Sequence, residues 1–386
     1  MLLLLGSVDM VERGSKPLPL LSLNHPESFM GLFSRSTTTI GLDIGSSSVK
    51  VMELLEDKKN NSWRLKTFGM VKLPPEAIVD GAVMNTNVIV DAIRELVDRH
   101  KIRTKDVTCS ISGHSVIIKR INLPQMTFEE LEESIQWEAE QYIPFDINDV
   151  NISFQILDDQ GDAAGQMEVL LVAARKELVN EYQSIIAEAG LKPAIIDVDA
   201  FAVENMFAMN YDSPKDLVGL VNVGASTVNI NVLQDGVTAF TRDVGMGGRQ
   251  FTEEIQRNLN ISYEEAEMLK VGGDSEDADA VIPEEIETIL GHVADNLATE
   301  IHRSLDFHLS ATPGATLARI YLSGGAARTP GLARAIQEKT GTPIEIMDPF
   351  RRIEIDERAF NPRYLHDVSL TAAVCVGLAM RRIGDS

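Results

Sequence analysis

Two glycine-bearing turns, roughly half a chain apart, each join two apolar strands, and this repetition constrains the fold more than any other feature. The first runs Ile40-Gly41-Leu42-Asp43-Ile44-Gly45-Ser46-Ser47-Ser48-Val49-Lys50-Val51. The second runs Leu220-Val221-Asn222-Val223-Gly224-Ala225-Ser226-Thr227-Val228-Asn229-Ile230. Both read as strand, tight turn of small polar residues, strand. A third glycine turn, Tyr321-Leu322-Ser323-Gly324-Gly325-Ala326-Ala327, follows a short apolar run. Paired hairpins imply two related halves. Small residues let backbone N–H groups approach an anion, and hydroxyls add donors. A phosphate chain clamped between the two hairpins is therefore the simplest function of the arrangement.

The chain has 386 residues, enough for two domains or for two halves with an insertion. A formal charge of -23 argues against a nucleic-acid partner and against direct binding to an anionic membrane. Cys109 and Cys375 lie in apolar runs and read as buried free thiols, which points to a reducing, cytoplasmic compartment. No apolar stretch approaches the roughly 18 residues of a membrane span, so no direct membrane insertion is expected. Residues 1–29 read as a flexible leader or an upstream extension, with Met30-Gly31-Leu32-Phe33 as the natural beginning.

Periodicity divides the rest. Residues 30–112 plus 193–215 form the first half: three strands, a helix over 87–100 and a strand over 106–111. Residues 113–192 form an inserted α+β module. It has a strand over 115–123, a helix opened by a Thr127/Glu130 capping box and ended by Pro144, two strands separated by a turn at Gly161 and Gly165, and a helix over 176–189. A break at Asp212-Ser213-Pro214 precedes the second half, 216–366. There, three strands lead through Gly245-Met246-Gly247-Gly248 into helices, with an acidic loop over 272–280. A small-residue helix over 367–381 is expected to pack back onto the first half.

With these residues in order, the chain resembles the actin-like ATPase superfamily. Asp43-x-Gly45-Ser46-Ser47-Ser48 is similar to its first phosphate motif, Asn222-x-Gly224-Ala225-Ser226-Thr227 to its second, and Ser323-Gly324-Gly325-Ala326 to its adenosine motif. The helices after Asp197-Val198-Asp199-Ala200 and at 369–380 resemble the paired connectors between its halves. Glu267-Met268-Leu269-Lys270 resembles a helical Glu-x-x-Lys that holds adenosine, its ends on one helix face. Within the superfamily, Gln136-Trp137-Glu138-Ala139-Glu140-Gln141-Tyr142-Ile143-Pro144-Phe145-Asp146 and Asp243-Val244-Gly245-Met246-Gly247-Gly248 resemble the PilM family of type IV pilus assembly components. The resemblance covers residues 31–384. It implies an α/β, actin-like ATPase fold with two related halves around a nucleotide cleft and an FtsA-like α+β subdomain inserted in the first half. It implies ATP and Mg²⁺ as ligands. It also implies docking of the cytoplasmic N-terminal segment of the membrane protein PilN beside that subdomain, through Trp137, Tyr142, Ile143, Pro144 and Phe145. Through PilN it implies links to PilO and the inner-membrane complex, and to the pilus motor ATPases and platform protein. The chain is then cytoplasmic and peripheral at the inner membrane.

Residue by residue, alternatives stay open. Asp43 stands where the superfamily's acid meets Mg²⁺ through water; by itself it also reads as a turn aspartate capping its own backbone. Lys50 either offsets phosphate charge or is solvated. Gly247 and Gly248 read as an anion-facing helix start or as a plain turn. Gly324 and Gly325 let adenine and ribose approach the backbone, or simply turn the chain. Glu267 and Lys270 hold adenosine or form a surface pair. Trp137 lies off the Leu131, Ile135, Ala139 stripe and faces a groove or its rim. Asn222 replaces the aspartate of many hydrolysing relatives. No base stands out in the sequence, so slow or negligible turnover is expected. Two other readings are a sugar or metabolite kinase and an FtsA-like filament protein. The kinase lacks a legible catalytic aspartate, and the ending Met380-Arg381-Arg382-Ile383-Gly384-Asp385-Ser386 is too short for the membrane helix of the filament proteins.

Overall fold

A computed structural model describes residues 39–384 apart from 58, 61, 80, 159–164, 213–214, 272–282 and 312–313. The leader, the Met30 start, Gly161, Ser213, Pro214 and the 272–280 loop lie outside the described residues.

β1 (Ile40–Ile44), β2 (Ser48–Asp57) and β3 (Ser62–Lys72) form an antiparallel meander. A small hairpin, β4 (Ile78–Val79) and β5 (Ala82–Val83), leads to α1 (Thr86–Arg99). The Asn85 side chain caps α1 by accepting from Val88 N, and its Ile89, Val90, Ile93 and Leu96 bury one stripe. β6 (Asp106–Ile111) then returns parallel to β1.

The next segment builds its own sheet from β7 (Val116–Pro124), β8 (Val150–Asp158) and β9 (Gln166–Arg175), in the order β7-β9-β8. α2 (Phe128–Glu140) covers it, and both hydrogen bonds of the Thr127/Glu130 capping box are formed. α3 (Lys176–Glu188) follows, then β10 (Lys192–Val198), which pairs with β6. Contrary to the sequence reading, α3 is not part of the inserted module's core. Its Val179, Tyr182, Ile185 and Ile186 pack in the cluster under the first sheet, because its apolar stripe faces α1 and β10. The module's own core is Ile121, Leu123, Leu131, Ile135, Ala139, Ile143 and their β9 neighbours.

α4 (Asp199–Asn210) is apolar nearly all round and buried, as a helix between two layers must be. β11 (Val218–Val223), β12 (Val228–Gln234) and β13 (Val237–Val244) repeat the meander. α5 (Gly248–Leu259), α6 (Tyr263–Lys270) and α7 (Glu284–Ala311) come next. β14 (Arg319–Ser323), α8 (Leu332–Thr340) and β15 (Ile344–Ile346) complete a five-stranded sheet. β16 (Ile353–Glu354) adds to β3 at the edge of the first sheet. The first sheet reads β3-β2-β1-β6-β10 inward from β16, and the second reads β13-β12-β11-β14-β15. The order is the same, so the paired hairpins do mark a duplicated layout.

The expected final helix is broken into α9 (Pro362–Val368), a 3-10 turn over Ser369–Ala372, and α10 (Ala373–Ala379). Ser369 and Thr371 hydroxyls turn back onto the His366 and Val368 carbonyls, and Leu370 O accepts from Gly324 N instead of continuing the ladder. α10 packs on α4, β1 and β2. Met52, Phe68, Phe207, Leu220 and Met347 join one core that spans both halves. Each such side chain contributes about 1.5–3 kcal/mol when fully buried.

Candidate functional site

A cleft of about 1420 Å³ opens between the halves. Every nucleotide-site candidate named from the sequence lines it except Gly247. Each hairpin closes its turn with one backbone bond: Gly45 N to Ser48 O at 3.1 Å, and Gly224 N to Thr227 O at 2.9 Å.

On the first hairpin, Asp43 and Lys50 are direct cross-strand partners, and Lys50 Nζ donates to Asp43 Oδ2 at 2.9 Å. Lys50 is buried, which removes the solvated alternative. On the second hairpin the equivalent pair is Asn222 and Asn229. Asn222 Nδ2 donates to Asn229 Oδ1 at 3.0 Å, and Asn222 Oδ1 accepts from Ser323 Oγ. Asn229 Nδ2 in turn donates to Asp243 Oδ1 at 2.9 Å, and Asp243 Oδ2 accepts from Gly113 N in the first half. Burial pushes the Asp243 carboxyl upward, against the pull of these two donors.

The third turn is fixed by Gly324, whose φ of 91° is open to glycine; a Cβ there would lie 2.3 Å from Val223 O. It lets the loop rest on the second hairpin's strand. At the start of α5 the structure corrects the sequence reading. Gly248 N donates to Gly224 O and Arg249 N to Ala225 O, so these groups brace the second turn and do not face an anion. Gly247 sits behind that turn, where a Cβ would meet Gly224 O at 2.6 Å.

Glu267 and Lys270 form a cleft pair, not a surface one. Lys270 Nζ donates to Glu267 Oε2 at 2.6 Å and to Thr252 Oγ1 at 3.1 Å. Burial lowers the lysine's pKa, although Glu267 opposes that.

The sequence reading missed a carboxylate. Asp199, at the start of α4, lines the cleft and accepts from Ser110 Oγ at 2.5 Å. Burial, then the charge of Asp43, raises it to about 6. The signal was the Asp197-Val198-Asp199 run leading into a buried helix. Likewise Asp243 stands opposite Asn229 in the strand ladder, a relation that only register reveals.

The set fits a nucleotide. Ser226 Oγ lines the cleft, buried and without a hydrogen-bond partner among the described residues, so the second turn holds a spare donor. Lys50 and Lys270 bring positive charge to the same cleft.

A second depression of about 400 Å³ lies on the inserted module, between α2 and β8. Phe128, Glu132, Ile135 and Gln136 line one wall, and residues 150–154 the other. β8 pairs only with β9, so its outer edge is open. Trp137 is 78% exposed but lies outside the depression; the aromatics within it are Phe128 and Phe154, their rings 5.4 Å apart. Of the other partner candidates, Pro144 is exposed, Tyr142 is half-buried, and Phe145 lies under the Arg175 guanidinium. Ile143 is a correction: it is a core residue, held by the turn that closes α2.

Residues 41–383 match the family of type IV pilus assembly protein PilM. The chain belongs to the PilM family. The solved PilM-PilN type IV pilus biogenesis complex is similar to it, with 28% identity over 90% of this chain and 99% of the other and a TM-score of 0.79. Ethanolamine utilization protein EutJ from Carboxydothermus hydrogenoformans shares the fold at 14% identity, over 90% of each chain, with a TM-score of 0.55. Cell division protein FtsA of Neisseria meningitidis serogroup B is a distant relative, 22% identical over 86% of this chain and 89% of its own length. The fold is the actin-like ATPase fold that the family resemblance implies.

Proposed function

We propose that this PilM-family chain is an ATP-binding scaffold of the type IV pilus machine, and that nucleotide in the cleft biases its hold on a PilN segment. The observation that carries the reading is the convergence of both turns, the Gly324 loop and the Glu267–Lys270 pair on one cleft, with the free Ser226 hydroxyl among them. Ser46, Ser48, Ser226, Thr227 and their backbone N–H groups would hold the phosphates. Asp43 would hold Mg²⁺ through water, Glu267 and Lys270 the ribose, and Gly324, Gly325 and Ala326 the base. Mg²⁺ supplies charge neutralisation to the phosphates when bound.

Asn222 keeps the shape of an aspartate without its charge. Among the described residues, Asp199 is coupled to Asp43 and has no cationic partner, so water activation would run through it and turnover is slow. Asp199→Asn abolishes residual hydrolysis and leaves ATP affinity within about threefold.

The depression beside β8 suits an extended peptide added to an open strand edge, with Phe128 as an anchor. α2 carries six glutamates and no lysine or arginine. The cytoplasmic flank of a membrane protein is enriched in lysine and arginine, so the charges are complementary. Links to PilO, the motor ATPases and the platform protein would follow through PilN, placing the chain at the inner membrane without insertion. Calorimetric titration of a PilN N-terminal peptide with and without Mg-ATP tests the switch. ATP is expected to change peptide affinity, and peptide to change ATP affinity by the same factor. Equal affinities in both arms leave a static scaffold.

A further inference from the structure

We propose that Arg249 is a clasp between the halves: it sets the gap between the two phosphate turns without itself touching nucleotide. The inference rests on the nucleotide reading of the cleft. Arg249 is the second residue of α5, in the second half. Its backbone N–H donates to Ala225 O at 2.7 Å and so braces the second turn from behind. Its guanidinium reaches across to the first half, where Nη2 donates to Ser46 O at 3.4 Å and to Ile78 O at 3.2 Å. One residue therefore holds the backbone of both turns. Neither side-chain bond involves a carboxylate, and Nε is buried without a partner among the described residues. A guanidinium nitrogen shared between two carbonyls of the opposite half is a positional contact, strengthened because the donor is charged. Among the described residues, the other side-chain bond between the second half and this rim of the first is the one that Asp243 Oδ2 accepts from Gly113 N. Loss of Arg249 thus leaves the halves joined at the α4 and α10 core but free to part at the cleft mouth.

The test uses the full chain with spin labels at Asp91→Cys on α1 and Arg334→Cys on α8, both exposed; Cys109 and Cys375 are buried. In nucleotide-free protein, Arg249→Gln is expected to lengthen and broaden the inter-label distance. It should weaken ATP and ADP together, by roughly tenfold, as loss of one charge-assisted contact implies. Arg249→Lys, which can donate to one of the two carbonyls, should fall between, and its melting curve controls for folding. An unchanged distance distribution overturns the clasp. So does a loss for ATP at least tenfold greater than for ADP, because that places Arg249 on the terminal phosphate. If the unsubstituted protein binds no nucleotide yet the distance shift persists, the functional reading fails and the clasp stands.

Discussion

The two hairpins carry the same backbone and opposite chemistry. Across three strands of the first sheet, one row reads Asp43, Lys50, Met70; across the second, the equivalent row reads Asn222, Asn229, Asp243. In the first row a negative and a positive charge neutralise each other directly. In the second, two amides relay a hydrogen bond to a carboxylate two strands away, which ties the row to Gly113 in the other half. A duplicated fold thus needs only the turn and its row of polar contacts. The sign and position of charge in that row are free to diverge, so that one turn carries an ion pair and the other a relay of neutral amides.

The largest test of this difference is Asp43→Asn. It leaves Lys50, whose side chain is 9% exposed, without its carboxylate. Removing one partner of a buried pair costs about 3 kcal/mol, and Mg-ATP affinity should fall by about two orders of magnitude. Urea unfolding and calorimetry measure the two effects. An equal loss from Asn222→Ala would erase the distinction between the rows.

Proton linkage comes next. α4 presents Asp199 to the first row and Glu204 to the second sheet, where Asn231 Nδ2 donates to Glu204 at 3.0 Å and Thr238 Oγ1 donates as well. Burial raises Glu204 from 4.5 to about 7, against both donors, and Asp199 from 3.8 to about 6. The native state holds protons there that the unfolded chain has already released. Stability therefore falls as pH rises from about 3.8 to 7 and levels above that, by a few kcal/mol. Glu204→Gln should flatten the upper part of that slope and Asp199→Asn the lower part, in urea titrations at stepped pH.

A smaller effect is expected from Asn222→Asp. Its carboxylate cannot donate to Asn229 Oδ1, so the relay is broken at a cost of about 1 kcal/mol. The added charge should alter the Mg²⁺ dependence of ATP binding. A variant with unchanged metal dependence would show that the second row does not face the metal. The smallest is Trp137→Ala. At 78% exposure it should shift stability by less than about 0.5 kcal/mol, whereas Ile143→Ala, in the module core, should cost about 2 kcal/mol or more. Thermal melts of the pair separate a surface residue from a packing one.

Much of this was legible in the chain because its signals are local. Gly-Ser-Ser-Ser between two β-branched runs can only turn, the Thr127/Glu130 box opens a helix wherever it lands, and the Leu131, Ile135, Ala139 stripe is buried as its spacing requires. The failures are non-local. Gly247 and Gly248 looked open to an anion because the carbonyls that occupy their surroundings come from residues 224 and 225. α3 reads as part of the inserted module because nothing in 176–188 says that its stripe faces α1. Ile143 reads as a partner contact but is a core residue, because the turn after α2, closed by Ile143 N donating to Ala139 O, carries it back against the module.

The sequence by itself determined the duplicated hairpins, the helix caps and the apolar stripes, since these depend on backbone sterics and residue spacing within one element. Only the tertiary structure decided where charge ends up. Lys50 meets Asp43, Asp199 enters the cleft and Asp243 reaches Gly113, because burial and long-range register set each group's electrostatic surroundings, and neither is written in the neighbours along the chain.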